Sequence, residues 1–157
     1  MRIAGTGPLE TEIRGLIDQR ELSVRMEGYC EGDRLAELYR NSAFTVVPSE
    51  WYENASMSIL ESFAYGKPVL ASNIGGNPEL VADGELGRLF TSGNADELAA
   101  SASAMWANRD ELSKMGRRAR SLMELRFNQE QRLSALLGFY SDVCTPQMRP
   151  ECALKRF

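Results

Sequence analysis

A chain of 157 residues, 43% hydrophobic and 25% charged, has the size and composition of one soluble globular domain. Such a domain can bury roughly 68 to 70% of its unfolded surface. No apolar run is long enough to span a bilayer, and a net charge of −4 argues against a general nucleic-acid surface, which needs clustered Lys and Arg.

Histidine is absent, and the three cysteines, Cys30, Cys144 and Cys152, fall in no metal-ligand spacing. That removes the commonest general base and the commonest transition-metal ligand, and an odd cysteine count points away from a disulfide framework. Chemistry in this chain is left to carboxylates, backbone groups or another domain. The N-terminus shows no signal-peptide pattern, so the expected location is cytoplasmic.

Arg2-Ile3-Ala4 reads as the end of a strand, followed by turn chemistry at Gly5-Thr6-Gly7-Pro8 and a helix over 9–19 with Leu9, Ile13, Leu16 and Ile17 at helical spacing. A dinucleotide fingerprint needs a third glycine at position 10, where the chain has Glu10. Residues 24–27 alternate as a short strand running into Gly28. A helix from about Asp33 carries Leu35, Leu38 and Tyr39 on one stripe, and Asn41-Ser42 is its stop.

Residues 43–47 form a continuous apolar and β-branched run ending at Pro48, the pattern of a strand buried on both faces. Helix is expected over 57–65, closed by Gly66 and Pro68, and a second buried strand over 68–72. Gly75-Gly76-Asn77-Pro78 makes a tight connection into a short helix over 79–82, and 87–90 is a last short strand. From Asp96 the pattern is helical to about Val143, with Met105, Trp106 and Leu112 expected in the core and Arg117, Arg118 and Arg120 on a solvated face. The fold class expected is α/β, a Rossmann-like open parallel sheet with helices on both faces and a helical C-terminal segment, over residues 1–143. The tail 144–157 is unassigned.

Ligands of open parallel sheets bind where strand ends enter helices, and residues 48–72, PSEWYENASMSILESFAYGKPVLAS, contain that junction. Unpaired N–H groups of Asn54, Ala55, Ser56, Met57 and Ser58 at the helix start favour phosphate or oxyanion groups. Glu53 and Glu61 could each accept from vicinal hydroxyls of a polyol. Two plainer readings stand beside this one: Ser58-x-x-Glu61 also matches a capping box, and Glu53 could be a solvated loop acid. Gly75 and Gly76 read first as turn residues.

Together with IAGTGPLE before it and IGGNPELVADGELGRLF after it, the 48–72 stretch closely resembles the glycosyltransferase group 1 family, also called family 4, of GT-B fold. Its signature is a glutamate, seven residues and a second glutamate, matched by Glu53 and Glu61. The resemblance runs in order from position 2 to about 143. It implies the carboxy-terminal, nucleotide-sugar-binding half of a two-domain retaining enzyme that uses no metal. It further implies that Glu53 touches the donor sugar, that Asn54, Ala55, Ser56, Met57 and Ser58 serve sugar and phosphate, and that Glu61 holds the ribose. The loop Gly28-Tyr29-Cys30 would lie against the nucleobase.

The family's opening strand and helix, its diphosphate-binding Arg and Lys and its acceptor-binding domain are implied to lie before Met1. The partners implied are a nucleotide sugar, that amino-terminal domain, and an acceptor sugar or lipid-linked glycan, with peripheral contact at the inner membrane face as a minor option. The fragment alone is expected to be inactive. A GT-B epimerase, or a non-catalytic binding module on the same sheet, is the alternative. Where the family loop usually has glycine or proline, then an aromatic and glycine, this chain has Asn54-Ala55-Ser56, so the donor sugar is left open.

Overall fold

A computed structural model describes residues 1–144. Strand β1 (Arg2–Ala4) leads through helix α1 (Glu10–Gln19) to β2 (Arg25–Gly28), and α2 (Gly32–Asn41) leads to β3 (Thr45–Val47). Then come α3 (Met57–Ala64), β4 (Val69–Ser72), α4 (Asn77–Leu80) and β5 (Gly87–Phe90). Three helices follow, α5 (Ala95–Ala107), α6 (Arg109–Arg126) and α7 (Gln129–Cys144). The fold is the expected α/β alternation. The tail 145–157 lies outside the described residues.

All pairings between these strands are parallel, but the sheet is in two parts, β1-β2 and β3-β4-β5, with no described strand joining them. The side chain of Glu27 on β2 is nearly buried and gathers Arg2, Arg25 and Arg34, each within 3.5 Å.

The core forms around β4, whose four residues are all buried. Its pleat sends Val69 and Ala71 to one face, where Ile59 and Phe63 of α3 and Ala119 of α6 cover them, and Leu70 to the other, against Phe90, Met105 and Leu112. Helices thus lie on both faces of the three-stranded part. The helix starts after β5 are fixed chemically, since the side chains of Asn94 and Asn108 accept the backbone N–H of Glu97 and Glu111.

Three expectations are corrected. The strand predicted over 43–47 begins at Thr45, and it is buried on one face only: Val46 is 36% exposed. The reason is that Val46 shares the face of Leu70, and helix α5 packs on that face over β4 and β5. The helix predicted over 79–82 starts two residues earlier at Asn77, because Pro78 fits the first helical turn, where its missing N–H is not needed. Met105 and Leu112 are core, but Trp106 is 58% exposed, with the Arg109 guanidinium stacked 3.4 Å from its ring centroid.

Gly87 lies so close to β4 that an added Cβ would stand 1.9 Å from the Val69 carbonyl oxygen. Alanine in a strand is usually neutral or better than glycine. Here Gly87→Ala is expected to lower stability by about 2 to 3 kcal/mol through overpacking, read as a fall in the urea midpoint at unchanged slope; an unchanged midpoint refutes the close strand contact.

Candidate functional site

The C-terminal ends of β3, β4 and β5 converge on one carbonyl. The backbone oxygen of Ser49, just past β3, accepts from the Ser72 hydroxyl at 2.6 Å and from the Ser92 hydroxyl at 3.2 Å. Ser72 is fully buried at the end of β4, and Asn77, also fully buried, donates through Nδ2 to the Ser72 carbonyl at 3.2 Å. The Oδ1 of Asn77 has no partner among the described residues. Small polar side chains thus tie the loops after β3, β4 and β5 together.

The Ser49 side chain in turn donates to Glu53 Oε1 at 2.8 Å. The main chain of Glu53 is clamped as well, since its carbonyl accepts from the Gly76 N–H at 2.7 Å. Added Cβ atoms on Gly75 and Gly76 would lie 2.6 Å from the Glu53 oxygen and 2.1 Å from the Asn54 oxygen, closer than atoms can approach. Gly75 also sits at φ +57°. These two glycines are more than turn residues, because their bare backbone lets the loop after β4 press against the loop that carries Glu53.

Ser56 is the N-cap of α3, with extended backbone, and its buried side chain makes no capping bond. Among the described residues the backbone N–H groups of Asn54, Ala55, Ser56, Met57 and Ser58 find no acceptor. They form a run of free donors at the positive end of a helix dipole, an arrangement suited to an anion. Asn54, Ala55, Met57 and Ser58 are exposed around it.

The capping-box reading of Ser58 and Glu61 is overturned, because the cap is Ser56 and the Glu61 carboxylate turns elsewhere. Glu61 Oε2 accepts the Tyr39 hydroxyl at 3.0 Å, and that hydroxyl also lies 3.4 Å from the Ser58 carbonyl. Burial first, and the Glu61 carboxylate second, push the Tyr39 pKa above its ordinary 10, so the hydroxyl stays a donor. The Tyr39 ring stacks on Tyr65 with centroids 5.4 Å apart, and the Arg40 guanidinium lies 5.5 Å from the Tyr65 centroid. Glu61 therefore keeps one carboxylate oxygen for another partner. In sequence Glu53 and Glu61 flank the free N–H groups, one held from the sheet end and one from α2.

The sequence profile of the family described as Glycosyl transferases group 1 matches residues 1–122. The chain belongs to the group 1 glycosyl transferases. It is 46% identical over 77 residues to a D-inositol 3-phosphate glycosyltransferase of Nocardiopsis dassonvillei, which is 49% of this chain and 18% of that protein. It is 31% identical over 137 residues to the putative colanic acid biosynthesis glycosyltransferase WcaL of Escherichia coli, 82% of this chain and 34% of that one. Its fold matches the Anabaena protein Alr3699/HepE solved in complex with UDP, with TM-score 0.81, 22% identity, and 90% and 40% of the two chains covered. The chain thus spans 18% to 40% of the length of these proteins.

In this group 1 chain the loop Gly28-Tyr29-Cys30 leaves the C-terminal end of β2, in the other part of the sheet. Gly28 has φ +68°, and its carbonyl accepts from the Gly5 N–H at 2.7 Å, joining the loops after β1 and β2. Tyr29 is 68% exposed, its hydroxyl donating to Glu31, and the Cys30 thiol turns back to the Glu27 and Gly28 carbonyls. No described hydrogen bond connects this loop to the Glu53 loop. Trp51 and Tyr52 are 83% and 85% exposed beside Glu53.

Sequence reasoning missed Tyr39, which it placed on a helix stripe. The signal available was a polar-tipped aromatic on an apolar stripe, because a buried tyrosine hydroxyl needs a partner. Tyr39→Phe keeps the stack and removes the hydroxyl, so it is expected to cost about 1 kcal/mol of stability. An unfolded tyrosine loses its proton near pH 10 and the folded Tyr39 only at higher pH. The wild type should therefore lose stability as pH rises past about 10, and the Phe variant should lack that part of the slope. Denaturant titrations at two pH values check both.

Proposed function

We propose that this chain is the donor-binding domain of a retaining glycosyltransferase, which moves a sugar from a nucleoside diphosphate sugar to an acceptor hydroxyl. The observation that carries it is the pair of glutamates, Glu53 and Glu61, held by unrelated partners on either side of an α3 N-terminus whose N–H groups are free. A nucleotide sugar has the complementary order of chemistry: ribose diol, anionic diphosphate, sugar polyol.

In this reading the spare Glu61 oxygen accepts from the ribose hydroxyls, which fixes the nucleoside. The N–H groups from Asn54 to Ser58 meet the diphosphate and the sugar ring, where fixed dipoles favour the charge that grows on the leaving group. Glu53, held by Ser49, accepts from sugar hydroxyls and orients the ring. Gly28, Tyr29 and Cys30 border the base, mainly through backbone. The bond from the anomeric carbon to the diphosphate oxygen breaks, a bond from that carbon to the acceptor oxygen forms on the same face, and the acceptor's proton leaves with the diphosphate. The E-x7-E spacing is read as this divided grip. The site needs no metal.

Support comes from family membership and from the Anabaena protein of the same fold, solved with UDP and with UDP-glucose. Curated relatives of which this chain spans 18% to 37% favour an acceptor-binding domain and diphosphate-neutralising cations in further polypeptide, so these 157 residues alone are expected not to turn over. No helix of the described residues is long and apolar enough to cross a membrane, and the enzyme is read as cytoplasmic, acting on an acceptor sugar or lipid-linked glycan.

Titration of the full-length protein with a panel of nucleotide sugars, followed by thermal protection, tests the reading. One donor should protect, Glu61→Gln should weaken it roughly tenfold, the worth of one charge-assisted hydrogen bond, and Glu53→Gln should slow transfer more than it weakens binding. Unchanged affinity in Glu61→Gln together with unchanged transfer in Glu53→Gln overturns the assignment. A rearranged sugar released from donor without acceptor would make the protein an epimerase.

A further inference from the structure

At the opposite edge of the three-stranded sheet, the surface opens into a groove of about 600 Å³ between α6 and the segments that lead into β3 and β4. Its floor is backbone and apolar, made by Gly66, Pro68, Gly116 and Leu112. The floor is fixed by close packing, since an added Cβ on Gly116 would stand 2.2 Å from the Gly66 carbonyl oxygen. Gly66, at φ +65°, ends α3 there.

Four cations line this groove, Lys67, Arg109, Arg117 and Arg120, and no carboxylate does. That is a concentration of positive charge in a chain of net charge −4. One of the four has a local explanation: Arg120 pairs with Glu124 outside the groove and donates to the Ala64 carbonyl at the C-terminal end of α3. The other three have no carboxylate partner among the described residues. Arg117 Nη1 donates to the Ser113 hydroxyl at 2.7 Å, and Arg109 is braced flat on Trp106. The nearby Glu111 is taken up by Lys114 and Arg118, the neighbouring cations of α6. Two guanidinium groups are thus held in place by a neutral hydroxyl and an aromatic face, which leaves their charge uncompensated.

We propose that this groove binds a phosphate-bearing anion with at least two negative charges, distinct from the donor and at the other end of the strands. Arg109 and Arg117 supply forked donors that match phosphate oxygens. Lys67 supplies a point charge, and Ser113 and Ser121 supply hydroxyls. Such groups occur on soluble phosphorylated metabolites and on acidic lipid headgroups, and the chemistry of recognition is shared.

The test uses the full-length protein in two arms, with UDP present in excess so that the donor region is not read. One arm measures heat of binding of inorganic pyrophosphate. The other measures co-sedimentation with vesicles of cardiolipin, whose headgroup carries two charged phosphates, mixed with phosphatidylcholine, against phosphatidylcholine alone. Binding in at least one arm is expected, weakening with added salt and falling about tenfold in Arg109→Glu/Arg117→Glu. The control Arg132→Glu, on α7, should leave it unchanged. Both target residues are exposed; the milder Lys67→Gln/Arg117→Gln pair, expected to lose severalfold, covers a failure of the reversal variant to fold. Pyrophosphate binding alone assigns a soluble ligand, and vesicle binding alone a lipid headgroup. No binding in either arm, or binding that the folded groove variants leave intact, overturns the site.

Discussion

The backbone of Gly75-Gly76 lies against the backbone of Glu53-Asn54 with no space for even a methyl group between them, and the Gly76 N–H donates to the Glu53 carbonyl at 2.7 Å. The rest of the candidate site depends on that contact. The loop carrying Glu53 has exposed residues on each side, Trp51, Tyr52, Asn54 and Ala55, and buries little apolar surface of its own. It is held instead by main-chain contact from one side and by the Ser49 hydroxyl from within. Because Ser49 is in turn fixed by Ser72 and Ser92, the position of Glu53 is set by the ends of three parallel strands.

Glu61 is fixed by a different device. A carboxylate on the first turns of a helix has several local partners available, and here it leaves them for a hydroxyl from another helix. The low polarity around Tyr39 keeps that hydroxyl protonated and strengthens its bond to a charged acceptor. The stack of Tyr39 on Tyr65 adds a rigid support, since Tyr65 is the C-cap of the same helix that carries Glu61. Helix α3 is therefore tied at both ends, and Glu61 has limited freedom before any ligand arrives. Preorganisation of this kind lowers the ordering cost of binding.

Much of the fold was legible in the sequence because its signals are local. Pro48, Gly66 and Pro68 punctuate the chain, and the periods switch between two and 3.6 where strands give way to helices. The order of elements followed, and so did the strand-to-helix junction bearing the two glutamates. What escaped depends on contacts between elements distant in sequence. Val46 reads as core from its β-branched run, but its exposure is decided by how far the helix on its face extends across the sheet. Trp106 reads as core from its spacing, but a cation covers it in place of the sheet. Ser58-x-x-Glu61 fits a capping box by spacing alone, yet Tyr39 outcompetes the local partner. The two glycines at 75 and 76 look alike whether they serve a turn or a close approach, and only the position of Glu53 and Asn54 distinguishes the two.

A parallel sheet has two unlike edges, and this chain uses both for positive potential by different means. At the C-terminal edge the potential comes from backbone, through free N–H groups at the start of α3, with the carboxylates of Glu53 and Glu61 held by Ser49 and Tyr39. At the N-terminal edge the same helix presents its carbonyl end, which favours cations, and side chains of α6 supply them. Glycine packing makes each arrangement possible, Gly75 and Gly76 at one edge, Gly66 and Gly116 at the other. The direction of a single helix, α3, thus sets free N–H groups at one edge and carbonyls beside exposed arginine at the other. An overall negative charge does not prevent this, because ions respond to the local field over about a Debye length and not to the sum over the chain.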